Sequence, residues 1–301
     1  MSPKTVIIIS GPTASGKTEL AMEVARHFNT SIISADSRQC FRELNTGVAK
    51  PSPEQLSEVR HFFVNSHSIH EEVNASIFES LALSYCDEIF SVRDTIVMCG
   101  GTGLYIKAFR EGLDEIPIVE EGIRKNITEQ YHHQGISWLQ KSVQQADPLF
   151  FESGEMENPQ RMMRALEVIQ STGRSIITYR SRQKKQRNFR VLEFGLRLPR
   201  TQLYQRINHR VDQMMSAGLL EEVRSLLPYM HLNALQTVGY TELFQYLQGK
   251  SGLEDSVALI KKNTRHYAKR QITWLNKNHD LIWMEDDFKK KIIEISGHLK
   301  T

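Results

Sequence analysis

Gly11, Pro12, Thr13, Ala14, Ser15, Gly16, Lys17 and Thr18 constrain this chain more than any other stretch. They fit G-x-x-x-x-G-K-[ST] at every fixed position, a loop whose backbone amides turn inward around phosphate oxygens. The flanks agree. Val6 to Ile9 is a β-branched run suited to a buried parallel strand. Glu19 to Phe28 has helical spacing, with Leu20, Val24 and Phe28 on one face. Strand, loop and helix in that order bind a di- or triphosphate. Lys17 supplies a fixed positive charge, and Thr18 offers a hydroxyl to the phosphate or to a magnesium ion. The pattern leaves open which phosphate compound is bound and what is done to it.

A second strand, Ser31 to Ala35, ends at Asp36. Ligands of open parallel sheets sit beyond the carboxyl ends of the strands, so Asp36 is expected to face the phosphate loop across one crevice. The residue types also allow Asp36 and Ser37 simply to cap a turn. A further strand, Asp94 to Cys99, runs into Gly100, Gly101 and Thr102. A nucleotide hydrolase places its magnesium-binding aspartate at the end of such a strand. Cys99 stands there instead, which argues against simple nucleotide hydrolysis. The two glycines are read as letting backbone pass close to a ligand. His61, His67 and His70 have no carboxylate or cysteine in phase and are read as surface or structural histidines.

From about Asp114 to Arg190 the pattern changes to short helices, Glu120 to Tyr131 and Ile136 to Gln145 among them. Asn158 is a good N-cap and Pro159 suits the first helical position. Arg161 and Arg164 then oppose the helix dipole in the first turn, which suggests a bound phosphate there or two solvated arginines. Three segments are expected: residues 1–113 as the first part of an α/β core, 114–190 as a helical insertion, and 191–301 as core completion. In the last, Arg206 and Arg210 lie one turn apart on a helix that follows Pro199. Leu253 to Lys277 reads as a long helix with Val257, Ile260, Thr264, Tyr267, Gln271 and Trp274 inward and Lys262, Arg265 and Lys269 on a basic face.

Charge sharpens this division. Residues 1–179 hold 16 Lys and Arg against 23 Asp and Glu, whereas residues 180–301 hold 22 against 12. A basic second half favours a polyanionic partner, nucleic acid foremost. The three scattered cysteines fit no zinc spacing and are read as reduced thiols. No apolar run approaches the roughly 20 residues of a membrane span, and no signal peptide is expected. A cytoplasmic protein is the reading.

Taken together, the motifs resemble the tRNA dimethylallyltransferases, also called tRNA isopentenyltransferases, of the bacterial type. The resemblance rests on Gly11 to Thr18, Asp36 to Gln39, Gly100 to Tyr105, Asn158 to Val168, Leu203 to Arg210, Gln236 to Tyr240 and Ala268 to Leu275, in that order. It implies an α/β fold with a P-loop NTPase-like core, a central parallel sheet flanked by helices, plus a helical insertion domain that contacts tRNA. It also implies transfer of a dimethylallyl group from dimethylallyl diphosphate to the exocyclic amine of the adenosine 3′-adjacent to the anticodon, with diphosphate leaving. On that resemblance the loop holds the prenyl diphosphate, Asp36 is the general base, and Thr18, Lys17 and Arg210 hold the diphosphate. The tRNA anticodon stem-loop would meet Asp36, Ser37, Arg38, Gln39, Thr102, Arg124, Gln160, Arg161, Met162, Met163 and Arg164. It would also meet Gln236, Gly239, Tyr240, Lys269, Arg270, Gln271 and Trp274. Magnesium is the implied cofactor, with Thr18 as its protein ligand, and a monomer with no membrane partner is expected. Two departures stand out: Phe41 replaces the tyrosine of many relatives, and Arg60-His61-Phe62-Phe63 lacks the usual pair of adjacent histidines. The alternative on the same scaffold is a small-molecule or nucleoside kinase; a non-catalytic RNA-binding protein would leave Lys17, Thr18 and Asp36 without a purpose.

Overall fold

A computed structural model describes residues 3–181, 183–284 and 288–300. Two compact units divide the chain. One comprises residues up to Arg110 together with those from Gln186 onward, and the other is Glu111–Lys185.

The first unit is built on a six-stranded parallel sheet in the order β3-β2-β4-β1-β5-β6. β1 (Thr5–Ser10) lies at its centre, and all six of its residues are buried. That is what a β-branched run without polar alternation produces when both faces are covered. Val6 and Ile8 join one core cluster, Ile7 and Ile9 the other, because successive side chains point to opposite faces. Each fully buried aliphatic side chain in these layers contributes about 1.5–3 kcal/mol. β1 is flanked by β4 (Thr95–Gly100) and β5 (Arg190–Leu196). β2 (Ile32–Ala35) pairs with β4 and with the two-residue β3 (His61–Phe62), and β6 (Ile282–Met284) closes the other edge.

α1 (Lys17–His27) starts directly from the loop after β1. Its N-cap, Gly16, has φ 92°, a left-handed conformation that a β-carbon disfavours. The helices α2 (Pro53–Glu58), α3 (Ala75–Phe90) and α4 (Gly103–Glu111) follow. After β5 come α8 (Arg200–Ser216), α9 (Leu219–Ser225), α10 (Tyr240–Leu247), α11 (Leu253–Leu275) and α12 (Phe288–Lys300).

The second unit is helical: α5 (Glu121–Ala146), α6 (Pro148–Ser153) and α7 (Pro159–Thr172). α5 is two helices meeting at a kink, because Gly135 has φ 73° and ψ −168°. Ile127, Leu139, Val143, Phe150, Met162 and Leu166 form its core. Asn158 caps α7 by accepting a hydrogen bond from the Arg161 amide at 3.3 Å, with Pro159 in the first turn.

Four helices and strands of the described residues are absent from the sequence reading, among them the six-residue helices α2 and α6. β3 is too short to show a period, and α10 is a two-turn helix entered through Gly239 at φ 99°.

Candidate active site

A cleft of about 1120 Å³ opens at the carboxyl ends of the strands in the first unit. One wall is the phosphate loop with Lys17 and Thr18, and a second carries Asp36, Ser37, Arg38 and Gln39. α8 contributes Arg206 and Arg210, α11 contributes Asn263, Tyr267, Arg270 and Gln271, and the segment before α10 contributes Gln236 and Gly239.

Lys17 and Arg210 are the electrostatic centre. Burial pushes the Lys17 ammonium below its ordinary value; Arg210 pushes the same way, while Asp36 opposes. Burial also lowers the Arg210 guanidinium, against the attraction of Asp36. Neither cation has a carboxylate within ion-pair distance among the described residues. Lys17 instead donates to the Pro12 carbonyl of its own loop at 3.2 Å. Desolvated cations without a contact anion make a strong anion site.

Asp36 serves two purposes at once. Its Oδ1 accepts from the amides of Arg38 at 2.9 Å and Gln39 at 3.4 Å, so it does cap the turn. The same turn holds the carboxylate in the cleft, facing the cations that respond to it. Cys99, at the end of β4, is buried, and burial pushes its thiol up to about 11. A neutral thiol there supplies no hard oxygen donor for a metal ion.

The loop is tied down from far along the chain. The Gln271 side chain accepts from the Thr13 amide at 2.8 Å and donates to the Gly101 carbonyl at 2.9 Å. With the Ser15 amide donating to the Pro12 carbonyl at 3.3 Å, two of the loop's amides are spent on protein. Protein packing alone requires Gly100 and Gly101 to be small, and Gly100 also lines the cleft. A β-carbon on Gly100 would lie 2.2 Å from the Ala35 carbonyl oxygen, and one on Gly101 would lie 2.2 Å from the Gln271 amide. The Ser15 hydroxyl is buried and has no hydrogen-bond partner among the described residues. Gly11 and Pro12 are buried and Ala14 has φ 64°.

Several residues expected at the RNA surface are placed elsewhere. Met162 is 0% exposed and Met163 only 7%, both in the core of the helical unit, so neither reaches a nucleic acid. Tyr240 is also fully buried, and its hydroxyl donates to Glu222. α7 and α10 bury these faces because they are the apolar stripes of short amphipathic helices. Arg161 pairs with Glu155, while Arg124 and Arg164 share the buried Glu167 at 3.4 and 3.0 Å. The dipole conflict in the first turn of α7 is thus relieved by carboxylates. Gln39 is engaged by Ser34 Oγ and by the carbonyls of Val48 and Ala49. Thr102 accepts from the Ser37 amide and bonds Tyr267. Trp274 packs over Gly103. Gln160, Arg161, Lys269, Arg270 and Gln236 are exposed.

Tyr267 and Thr264 fall on the inner stripe of α11, yet both line the cleft. Polar Thr264, Tyr267 and Gln271 on an otherwise apolar stripe were the available signal. His209, Gln213 and Asn263 also line it, and no pattern in the sequence marked them.

For a magnesium ion, Thr18 and Asp36 are among the hard oxygen donors lining the cleft, with Thr13, Glu19 and Ser37 beside them. No group of three His, Cys, Asp or Glu side chains able to hold a metal occurs among the described residues. The donor set fits an ion held mainly through substrate phosphate oxygens, as magnesium commonly is.

The parallel sheet and the loop from Gly11 to Thr18 define a P-loop NTPase-like fold, with Asp36 directly after β2 and Cys99 on β4. The sequence model of the family described as IPP transferase matches residues 39–278. A tRNA dimethylallyltransferase of Christiangramia forsetii is 45% identical over 288 residues, covering 96% of this chain and 95% of that protein. A tRNA dimethylallyltransferase 1 of Phocaeicola vulgatus is 40% identical over 292 residues, covering 97% of each. The solved structure of the full-length tRNA isopentenylpyrophosphate transferase of Bacillus halodurans has a TM-score of 0.72 at 32% identity. It covers 99% of this chain and 97% of its own. The chain belongs to the IPP transferase family.

Proposed function

We propose that this enzyme transfers a dimethylallyl group from dimethylallyl diphosphate to the exocyclic amine of the adenosine 3′-adjacent to the anticodon of tRNA. The observation that carries the reading is the pair of desolvated cations, Lys17 and Arg210, facing Asp36 across one cleft. Family membership and the names of the relatives supply the reaction class.

The adenine amine is a weak nucleophile because its lone pair is delocalised into the ring. Its nitrogen attacks the allylic carbon, the carbon–oxygen bond to diphosphate breaks, and the amine's extra proton passes to the Asp36 carboxylate. A positioned base contributes about 10²–10⁴-fold. Negative charge gathers on the leaving diphosphate, where Lys17, Arg210 and the loop amides oppose it. A bound magnesium ion would add charge neutralisation at the phosphates, with Thr18 as its protein ligand. The adenosine must leave its stack to enter the cleft. Arg38, Gln236, Lys269 and Arg270 are proposed to meet RNA in the first unit, and Arg124, Gln160, Arg161 and Arg164 in the helical unit. No helix among the described residues is long and apolar enough to cross a membrane. We place the enzyme's work in the cytoplasm, as a single copy.

The deciding experiment supplies labelled dimethylallyl diphosphate and an anticodon stem-loop. Label enters the RNA with wild type, whereas Asp36→Asn retains stem-loop binding and loses about 10²–10⁴ in turnover. Near-wild-type turnover by Asp36→Asn would remove it as the base. Stabilisation against heat by ATP but not by dimethylallyl diphosphate would return the chain to the kinase reading.

A further inference from the structure

We infer that Glu222 is a positioning residue that fixes how long a prenyl chain the cleft accepts. The inference deepens the reading above and rests on it.

Residues 45–49 contain only one 3-10 turn, Thr46–Val48, yet their backbone is held at nearly every peptide. The Glu222 carboxylate accepts from the amides of Asn45 at 3.2 Å, Thr46 at 2.7 Å and Gly47 at 3.2 Å. It also accepts from the Tyr240 hydroxyl. Gln39 then donates to the carbonyls of Val48 at 3.4 Å and Ala49 at 3.1 Å. Ala49 sits at φ 44°, a left-handed conformation an alanine keeps only when its neighbours enforce it. Lys50 closes the far side on the Phe41 carbonyl at 2.6 Å and the Asn65 side chain at 2.5 Å. Gly47 lies so close to the Tyr240 ring that a β-carbon would be 2.5 Å from it. A segment of loop is thereby made as stiff as a secondary-structure element.

This stiff segment is a wall of the catalytic cleft, since Gly47, Val48 and Ala49 line it. The other apolar lining side chains include Val211 and Met214 of α8, Val238, and Ile260 of α11. With Val48 they belong to a single apolar cluster. The phosphate end belongs to a different one, where Ala14 packs against Leu203, Ile207 and Ala268. Ile260 lies eight residues before Ala268, about 12 Å along the helix axis. Val211 lies one turn beyond Ile207, and Met214 two. The cleft therefore has a cationic group at the loop and, away from it, an apolar group that includes Val48 of the segment Glu222 holds, with Thr237, Thr241, Glu242, Asn263 and Thr264 also in the lining. A hydrocarbon tail whose diphosphate is gripped by the loop gains most by pointing toward the apolar group. Its length is then limited by how firmly Val48 stands. Three amides and a phenol on one carboxylate make that wall unyielding. Burial, with the Glu222 charge second, also pushes the Tyr240 phenol upward, so it remains a hydrogen donor at any working pH.

The experiment is competition between dimethylallyl and geranyl diphosphate for one anticodon stem-loop, read as the ratio of kcat/KM values. Wild type is expected to favour dimethylallyl by about 10²-fold or more, because a rigid apolar pocket resists added methylenes. Glu222→Ala releases the amides and is expected to shrink that preference at least about tenfold, with Glu222→Gln in between. Val48→Ala tests the wall directly and is expected to shrink it without touching Glu222. An unchanged ratio in Glu222→Gln and Val48→Ala, with both donors falling together, would overturn the inference and leave Glu222 a plain support. Should Glu222→Ala fail to fold, the other two variants give the same readout. A wild type that transfers neither donor would defeat the proposed function instead, and is read from the dimethylallyl arm alone.

Discussion

Cations occur in both units, but what surrounds them differs. In the cleft of the first unit, Lys17 and Arg210 are desolvated and held away from any contact carboxylate among the described residues. In the helical unit, Arg161 meets Glu155, and Arg124 and Arg164 converge on Glu167. The first arrangement leaves a local excess of positive charge that a ligand must balance. In the second, each of the three guanidiniums already touches a carboxylate before any ligand arrives. An arginine's place in a motif therefore says less about anion binding than the carboxylates that the fold brings beside it.

The largest effects should come from the cleft. Lys17→Ala and Arg210→Ala are each expected to lower turnover about 10²–10³-fold by removing stabilisation of the departing charge. Their melting temperatures should hold or rise, since a desolvated cation is removed. Label transfer alongside thermal melts tests this, and a melt that falls with activity would make these cations structural and end the contrast. In the helical unit the order reverses. Arg164→Ala takes one of two partners from the buried Glu167 and is expected to cost about 1–3 kcal/mol of stability. Arg161→Ala, at an exposed pair, should cost under about 1 kcal/mol. Denaturant titration separates the two. A loss of tRNA affinity in Arg161→Ala, with a salt slope lower by about 1, would show that its pairing with Glu155 yields to phosphate and would soften the distinction.

The smallest effect concerns Lys50. Burial pushes its ammonium down to about 8 from the ordinary 10.5, against the pull of Glu222. Between those values the unfolded chain binds more protons than the folded one, so stability rises with pH across that window. Below about 8 both states are charged and the folded state carries the full penalty. Lys50 is only half-buried, so solvent screening keeps the rise small. Lys50→Met should flatten it, as read from melts at pH 8 and 10.5.

The strands and long helices were legible because β-branched runs and 3.6-residue stripes are local properties of the chain. The loop from Gly11 to Thr18 and its opposite acid, Asp36, were legible because spacing relative to strand ends fixes where they must face. Met162, Met163 and Tyr240 were misplaced because a motif preserves core residues as faithfully as contact residues, and only packing tells them apart. The role of Gly101 was hidden for a related reason: its neighbour, Gln271, is 170 positions away. Glu222 carried no signal at all, since three amides of a distant loop leave no mark on the residues around it.

The glutamine on α11 has a consequence for how the protein is made. Thr13 is held by a side chain 258 residues downstream. A ribosome that has completed the first five strands has already synthesised every glycine of the cradle, and Ser10 is paired with Gly100 of β4, but the Gln271 link from Thr13 to Gly101 is still missing. The brace on Thr13 thus comes with nearly the last helix to emerge from the exit tunnel. A chain cut short before that helix would carry the full signature of a phosphate-binding protein and lack the brace that shapes it.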